Sequence, residues 1–218
     1  MVILKTEHYE NNHKMRIAIQ DGNRTMATPA QKADCPTCGS QVISKCGEIK
    51  VWHWAHSSLD CDTWSEPESQ WHIDWKERFP TDWQEVTIGK HRADVKTPKG
   101  VIEFQASSIS SYDVRAREDH YQNMVWVLKG NNFKENLEFT KQKGYHSFRW
   151  KHPRKTWWDA KKPIYIDMGN GIMFNMKKVH GNIPCGGWGK FLTVDDFMNT
   201  YNRKQKNLDE LFQKSRLL

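Results

Sequence analysis

The sequence predicts a mixed α/β protein, an α+β arrangement in which helices flank a mixed sheet, and three observations carry that prediction. Residues 92–105 are two short alternating runs joined by Thr97-Pro98-Lys99-Gly100, a β-hairpin signal. Helical periodicity precedes this hairpin over 66–79 and follows it over 112–122. An apolar run, 124–128, then reads as a buried strand closed by Lys129-Gly130. With a further strand over 84–88, the order from 66 to 129 is α-β-β-β-α-β. A helix between the third and fourth strands implies a crossover, hence a mixed sheet covered by helices.

The remaining elements fall on either side of this core. Residues 1–34 hold one strand around 15–20 and an Asp21-Gly22-Asn23 turn. The stretch 35–62 carries four of the five cysteines and is too short for an apolar core of its own. From 145 come a strand over 145–151, a basic Trp-containing segment, and a hairpin turning at Asn170-Gly171. A last helix starts near Thr193 and runs to Leu211 and beyond. Three regions result: an N-terminal β and cysteine module over 1–62, a core over 63–150, and a C-terminal hairpin-and-helix extension over 151–218.

Composition narrows the partner. With 33 Lys and Arg against 26 Asp and Glu, the net charge is +7, which favours a polyanion. Only 37% of residues are hydrophobic, but eleven tryptophans supply large buried areas or stacking surfaces. No apolar stretch approaches a membrane span, and the N-terminus lacks a signal-peptide core. An odd cysteine count without an export signal argues for a reducing cytoplasm.

The hairpin carries the first chemistry. An even-length loop centred on Pro98 and Lys99 sets Asp94 opposite Glu103 and Arg92 opposite Gln105. Val95, Ile102, Phe104 and Ala106 then form the buried face. An odd-length loop would instead set Asp94 against Phe104. Facing carboxylates repel unless a cation sits between them, and hard divalent ions such as Mg²⁺ take paired oxygen ligands. On the preceding helix, Glu68, His72 and Lys76 recur every four residues and share a stripe beside apolar Trp71, Trp75 and Phe79. Ser65-x-x-Glu68 also fits a capping box, which would give Glu68 a purely structural role.

Cys35-Pro-Thr-Cys38-Gly39 is a metal knuckle, with glycine permitting the tight turn that aims both sulfurs inward. His53-Trp-Ala-His56 and Cys61 follow. Tetrahedral Zn²⁺ fits this supply: Cys35, Cys38 and two of His53, His56 and Cys61, with Cys46 a weaker substitute. A redox Cys-x-x-Cys would cap a helix after a strand, whereas Gly39-Ser-Gln-Val-Ile reads as turn then strand. For a polyanion, Ser107–Ser111 lies at the foot of the second helix, which carries Arg115 and Arg117. The segment 149–158 interleaves bases and aromatics, so Arg154 and Lys155 can neutralise phosphates while a base stacks on Trp157 or Trp158.

In this order, the Cys-Pro-Thr-Cys-Gly knuckle, His53-Trp-Ala-His56, Glu68-Ser-Gln-Trp-His72-x-x-x-Lys76, Arg92-Ala-Asp-Val and Ile102-Glu-Phe-Gln-Ala-Ser resemble the competence protein CoiA-like nucleases. That family is a branch of the PD-(D/E)XK nuclease superfamily. The resemblance spans roughly residues 15–130 and implies a restriction-endonuclease-like core. It also implies Mg²⁺- or Mn²⁺-dependent hydrolysis of DNA phosphodiesters, in DNA uptake and recombination or in phage or defence settings. Asp94 and Glu103 would hold the metal, Glu68 would complete the site, His72 and Lys76 would assist, and Arg92 would bind the nucleic acid or, like Lys76, supply positive charge. One position departs: the superfamily's last motif residue is typically lysine, and here it is Gln105. A neutral amide orients water but brings no charge to the transition state. The alternative reading is therefore a catalytically inactive DNA-binding or recombination-mediator protein on the same scaffold.

Overall fold

A computed structural model describes residues 15–48, 51–57, 61–64, 68–181 and 185–202. These divide into two compact units, one drawn from residues 1–68 and 87–92, the other from 69–86 and 93–218.

The first unit is an antiparallel sheet of β1 (Ile17–Gln20), β2 (Asn23–Met26), β3 (Lys32–Asp34), β4 (Gln41–Lys45) and β5 (His53–His56), in the order β2-β1-β3-β4-β5. Gln20 pairs with Asn23, so Asp21-Gly22 is a two-residue loop. Both residues have positive φ, 51° and 77°, as a type I′ hairpin turn demands. The cysteine stretch shares a small core with the strands before it. Met15, Ala18, Ala27, Ala33, Val42 and a fully buried Trp54 pack around Cys35. Strands β2, β3 and β5 are three or four residues long, too short and too polar to show in the sequence pattern.

The other sheet is mixed, with nine strands among the described residues, all in the second unit except 87–88 of β6 and 91–92 of β7. They are β6 (Gln84–Ile88), β7 (His91–Thr97), β8 (Gly100–Gln105), β9 (Met124–Lys129), β10 (Leu137–Lys141), β11 (His146–Trp150), β12 (Ile164–Gly169), β13 (Ile172–His180) and β14 (Gly186–Thr193). Their order is β10-β11-β14-β13-β12-β9-β8-β7-β6. The β8–β9 and β9–β12 pairs are parallel. Helix α2 (Ser111–Tyr121) makes the crossover between β8 and β9, and helix α1 (Gln70–Lys76) precedes β6. From 70 to 129 the chain therefore runs helix, three strands, helix, strand.

Ile102 and Phe104 of β8 point to one face with Val95, Val125, Val127 and Tyr165. Trp75 of α1, Phe79, and Val194 and Phe197 of helix α3 (Val194–Tyr201) close over them. Each such aliphatic or phenylalanine side chain contributes about 2 kcal/mol by leaving water. Glu103 and Trp126 are neighbours on the opposite face, where α2 lies.

One expectation changes here. The helix predicted over 66–79 begins only at Gln70, so Glu68 precedes it and the four-residue stripe loses its first member. Ser69 is the N-cap, and His72 folds back to it: Nδ1 accepts the Ser69 backbone N–H at 3.2 Å and lies 2.9 Å from its hydroxyl. Strand β14, which opens Gly186-Gly-Trp-Gly and is not among the elements expected from the sequence, inserts between β11 and β13. Its glycines admit that neighbour, since a Cβ on Gly187 would collide with the Lys178 carbonyl oxygen. The Asn170-Gly171 hairpin forms as expected between β12 and β13. Helix α3 starts after the Thr193 cap, and its predicted continuation to Leu211 lies outside the described residues. No helix among the described residues is long and apolar enough to cross a membrane.

Candidate functional site

In the first unit the Cys35-x-x-Cys38 turn meets the end of β5. The Cys35 and Cys61 sulfurs are 3.7 Å apart, and Cys38 Sγ lies 3.3 Å from His56 Nε2. The ligand atoms of Cys35, Cys38, His56 and Cys61 all lie within 4.8 Å of one another. Three sulfurs and one imidazole nitrogen can hold a tetrahedral structural metal such as zinc. His53 is not in the group. Successive side chains on a strand face opposite ways, so the two histidines of β5, three positions apart, cannot both reach one point. His53 Nδ1 instead sits 2.7 Å from the Val51 carbonyl. Cys46 also lies outside the group.

The thiols show what crowding does without a cation. Burial, the contact with Cys38 and the neighbouring Cys35 push the Cys61 thiol up to about 12. Cys38 is drawn down to about 6: burial opposes ionisation, but hydrogen bonds from Ser40, His56 and Cys61 outweigh it. Just beyond Cys61, Asp62 ties the unit together. It accepts from the Trp64 and Arg92 backbone N–H groups at 3.0 and 2.8 Å and lies 2.9 Å from His91 Nδ1. Burial opposes this charge too, yet those bonds hold the Asp62 carboxyl below its ordinary value.

In the second unit the hairpin has the even-length register: Val95 faces Ile102, and Thr97 faces Gly100. The next positions, Asp94 and Glu103, meet through their side chains. The Asp94 N–H donates to Glu103 Oε1 at 3.1 Å, and the Phe104 N–H donates to Asp94 Oδ2 at 2.9 Å. Arg117 reaches across from α2 and donates to Glu103 Oε2 at 3.0 Å. Glu103 is 3% exposed and Arg117 7%. Burial and the Asp94 charge raise the Glu103 carboxyl to about 8, even against Arg117. Gln105, also buried, donates Nε2 to the Ser107 carbonyl and hydroxyl oxygens at 3.3 and 3.1 Å.

The other predicted site residues are more dispersed. Glu68 falls in the first unit, ahead of α1 rather than on it. Lys76 is buried and ion-paired with Glu85 at 2.7 Å, a partner that sequence reasoning missed. Arg92 and Asp62 are joined through the Arg92 backbone N–H. Arg117, expected on a phosphate-facing surface, is instead the partner of Glu103. The two meet only because the crossover lays α2 over the face that holds Glu103.

Exposed Arg115 lies 3.7 Å from Asp159, and Arg154 stacks over Phe133 at 4.8 Å. Trp157 is 2% exposed and set edge-on to Trp126 at 5.3 Å, so it is core and not a stacking platform. Lys155 remains exposed, 5.9 Å from the half-buried Trp158 ring. At the foot of α2, the Ser110 hydroxyl accepts from the Asp113 N–H at 3.0 Å, so the helix start already has a cap.

An oxygen-only pair strained by mutual repulsion fits a hard divalent cation. Among the described residues, however, the Cys₃His cluster is the sole group of three or more Cys, His, Asp or Glu ligands. Two protein carboxylates suit Mg²⁺, which keeps several waters and takes substrate phosphate as ligands.

Residues 23–63 match the N-terminal domain of competence protein CoiA, and residues 86–166 match its nuclease-like domain. No curated protein and no solved structure matches the chain. The two matched segments span more than half of the 218 residues, and they fall in the chain order of that protein's domains. The chain belongs to the CoiA-like competence protein family.

Proposed function

We propose that the protein is a Mg²⁺- or Mn²⁺-dependent deoxyribonuclease that hydrolyses DNA phosphodiester bonds, with Asp94 and Glu103 as the metal-binding carboxylates. The observation that carries this reading is the facing of the two acids across the hairpin, with Glu103 held near 8 by burial and by Asp94. A bound divalent cation would supply charge for the phosphate and a water of lowered pKa. Asp94 is fixed by the Phe104 N–H, so its free lone pairs keep one direction. Arg117 orients Glu103 and leaves a fixed positive charge beside the reacting phosphate. Gln105 is itself anchored to Ser107 and can orient water by hydrogen bonding.

The test is cleavage of linear, circular and single-stranded DNA with Mg²⁺ or Mn²⁺, comparing the wild-type protein with Asp94→Ala. Losing a direct metal ligand should lower the rate by more than about 100-fold, beyond the cost of losing an outer partner. Absence of cleavage on every substrate by folded, metal-replete protein would overturn the reading.

A second reading, a DNA-binding protein without catalysis, draws on a specific observation. Arg117 already supplies Glu103 with a cation at 3.0 Å, and Gln105 stands where the superfamily has lysine. In that case Asp94→Ala leaves DNA affinity unchanged and wild type cuts nothing.

A further inference from the structure

Two cavities of similar size lie in the second unit, and their linings are electrostatic opposites. The one of about 330 Å³ near α1 and α3 is lined by Asp74, Asp167 and Asp195 with Arg78 as its sole Arg or Lys. Asp167 there is committed to the Trp71 and Trp75 indole N–H groups at 2.8 and 2.9 Å. The other, about 350 Å³, lies between residues 157–164 and β13. It is lined by Lys161, Lys162, Lys177, Lys178 and Trp158, and no Asp or Glu is among its described lining residues. A polyanion is repelled by the first cavity and drawn to the second.

The lysine cavity is a built feature. Regular alternation would send Lys177 and Lys178 to opposite faces of β13. The pairing of β13 with β14 shifts register between Met176 and Lys178, a bulge that re-aims side chains, and both lysines line the same cavity. On the other wall, the backbone N–H groups of Lys161 and Lys162 donate to the buried Glu118 carboxylate at 2.9 and 3.1 Å. Glu118 also takes the Trp126 indole N–H at 3.0 Å, so the loop bearing these lysines is anchored to the core. Trp158 packs closely against Gly181, where a Cβ would come within 2.5 Å of the ring. The loop backbone that carries Lys161 and Lys162 is fixed in place before any ligand arrives, which lowers the ordering cost of binding.

The cavity also lies on the face that carries Glu103. Glu103 pairs with Trp126, Trp126 with Ile164, and Ile164 with Met176, one continuous row across β8, β9, β12 and β13. Ile164 and Met176 line the cavity. At about 4.8 Å per strand, the row sets it about 10–14 Å from the acids.

We propose that this cavity is a nucleotide subsite for single-stranded DNA, its lysines holding phosphates while a base packs on Trp158. The volume suits one nucleotide-sized ligand. A recessed aromatic wall serves only a base free to enter it, and duplex bases stay stacked inside the helix. The inference rests on the nuclease reading for the identity of the ligand and adds strand preference to it.

The test measures binding of a fluorescent single-stranded oligonucleotide and of a duplex of equal length, without divalent ions, in an Asp94→Ala background. Adding Lys177→Ala and Lys178→Ala, both at exposed positions, should weaken single-strand binding about tenfold. It should also flatten the salt dependence of log K by about 1.4, at roughly 0.7 per released contact. Duplex affinity should change less than about twofold, since the duplex does not enter the cavity. Trp158→Leu should weaken the normal oligonucleotide but leave an abasic one unaffected.

Unchanged affinity and slope, equal losses for the duplex, or no single-strand binding by the parent would each overturn the proposal. If wild type proves unable to cut DNA while the lysine substitutions still act, the subsite stands and the nuclease reading falls. If wild type cuts DNA and the lysine substitutions do nothing, the reverse holds.

Discussion

The cysteine cluster and the acidic hairpin both gather groups that repel when ionised, yet they resolve the conflict differently. Around Cys35, Cys38, His56 and Cys61 there is no protein cation in the ligand set, and the Cys61 thiol is driven up to about 12. Around Asp94 and Glu103 the protein brings its own cation, Arg117, and fixes both carboxylates with backbone N–H groups. The first site sits in a small core where one tryptophan does most of the filling. The second sits on β7 and β8, next to the edge strand β6, where helices and side chains cover both faces of the sheet. Metal should therefore act on folding in the first case and on chemistry in the second.

The largest expected effect breaks the first region outright. Structural zinc contributes about 10–16 kcal/mol of binding energy in small metal-folded modules. Cys35→Ser with Cys38→Ser should abolish one equivalent of zinc and unfold the module, read as metal content and as amide exchange over 15–64. The second unit should keep its slow-exchanging core, because no cluster ligand belongs to it. A full equivalent of zinc retained by the double variant would refute the cluster assignment.

Next in size is Lys76, whose place in the sequence suggests catalysis and whose surroundings suggest support. Its ammonium and the Glu85 carboxylate are both about 3% exposed at 2.7 Å. Lys76→Met alone should cost about 3–5 kcal/mol by stranding a buried carboxylate, read by urea denaturation. Lys76→Met with Glu85→Leu should recover most of that loss. If the double variant regains stability and cleavage together, Lys76 is a support residue. If stability returns and cleavage does not, Lys76 belongs with the acids.

These outcomes also show what was legible beforehand. The hairpin register follows from loop parity and apolar alternation, both local, so Val95 opposite Ile102 is legible from residues alone. The helix start is not, because Ser65-x-x-Glu68 offers a plausible cap and the actual cap, Ser69 with His72, uses an imidazole. Parity also held an unused answer in the cysteine module. Once 53–56 is known to be a strand, two histidines three apart cannot both be ligands, and Cys61 must be one. That strand could not be inferred, since His-Trp-Ala-His buries all four residues and shows no alternation. Arg117 and Glu118 were hidden for a different reason: adjacent on one helix, each answers a partner brought near only by the crossover.

The acidic pair has a pH signature opposite in sign to that of Cys38, whose lowered thiol makes metal-free stability rise between about 6 and 9. The Glu103 carboxyl titrates near 4.5 when unfolded and near 8 in the fold, raised by burial and by Asp94. Below about 4.5 both states are protonated and nothing changes. Between those values the unfolded chain gives up a proton that the fold retains, so stability falls as pH rises, and the loss is complete above about 8. Urea midpoints of the second unit's transition in metal-free protein should show this decline, and Glu103→Gln should flatten it. Added Mg²⁺ should restore stability most strongly at the alkaline end, because bound cation favours the ionised pair. A midpoint that rises between pH 5 and 8 would contradict the assignment.

The smallest effect is the finest test of how the first region was assembled. His53 and His56 share one four-residue strand, both are buried, and only parity separates them. His53→Ala removes the contact with the Val51 carbonyl, worth about 1 kcal/mol net. It should leave a full equivalent of zinc. His56→Ala should lose zinc or bind it far more weakly, because it removes a ligand atom within the 4.8 Å group. Equal zinc loss from both variants would mean that β5 flips or unwinds when metal binds. The strand geometry would then be a property of the metal-free chain, and the choice among the five candidate ligands would reopen.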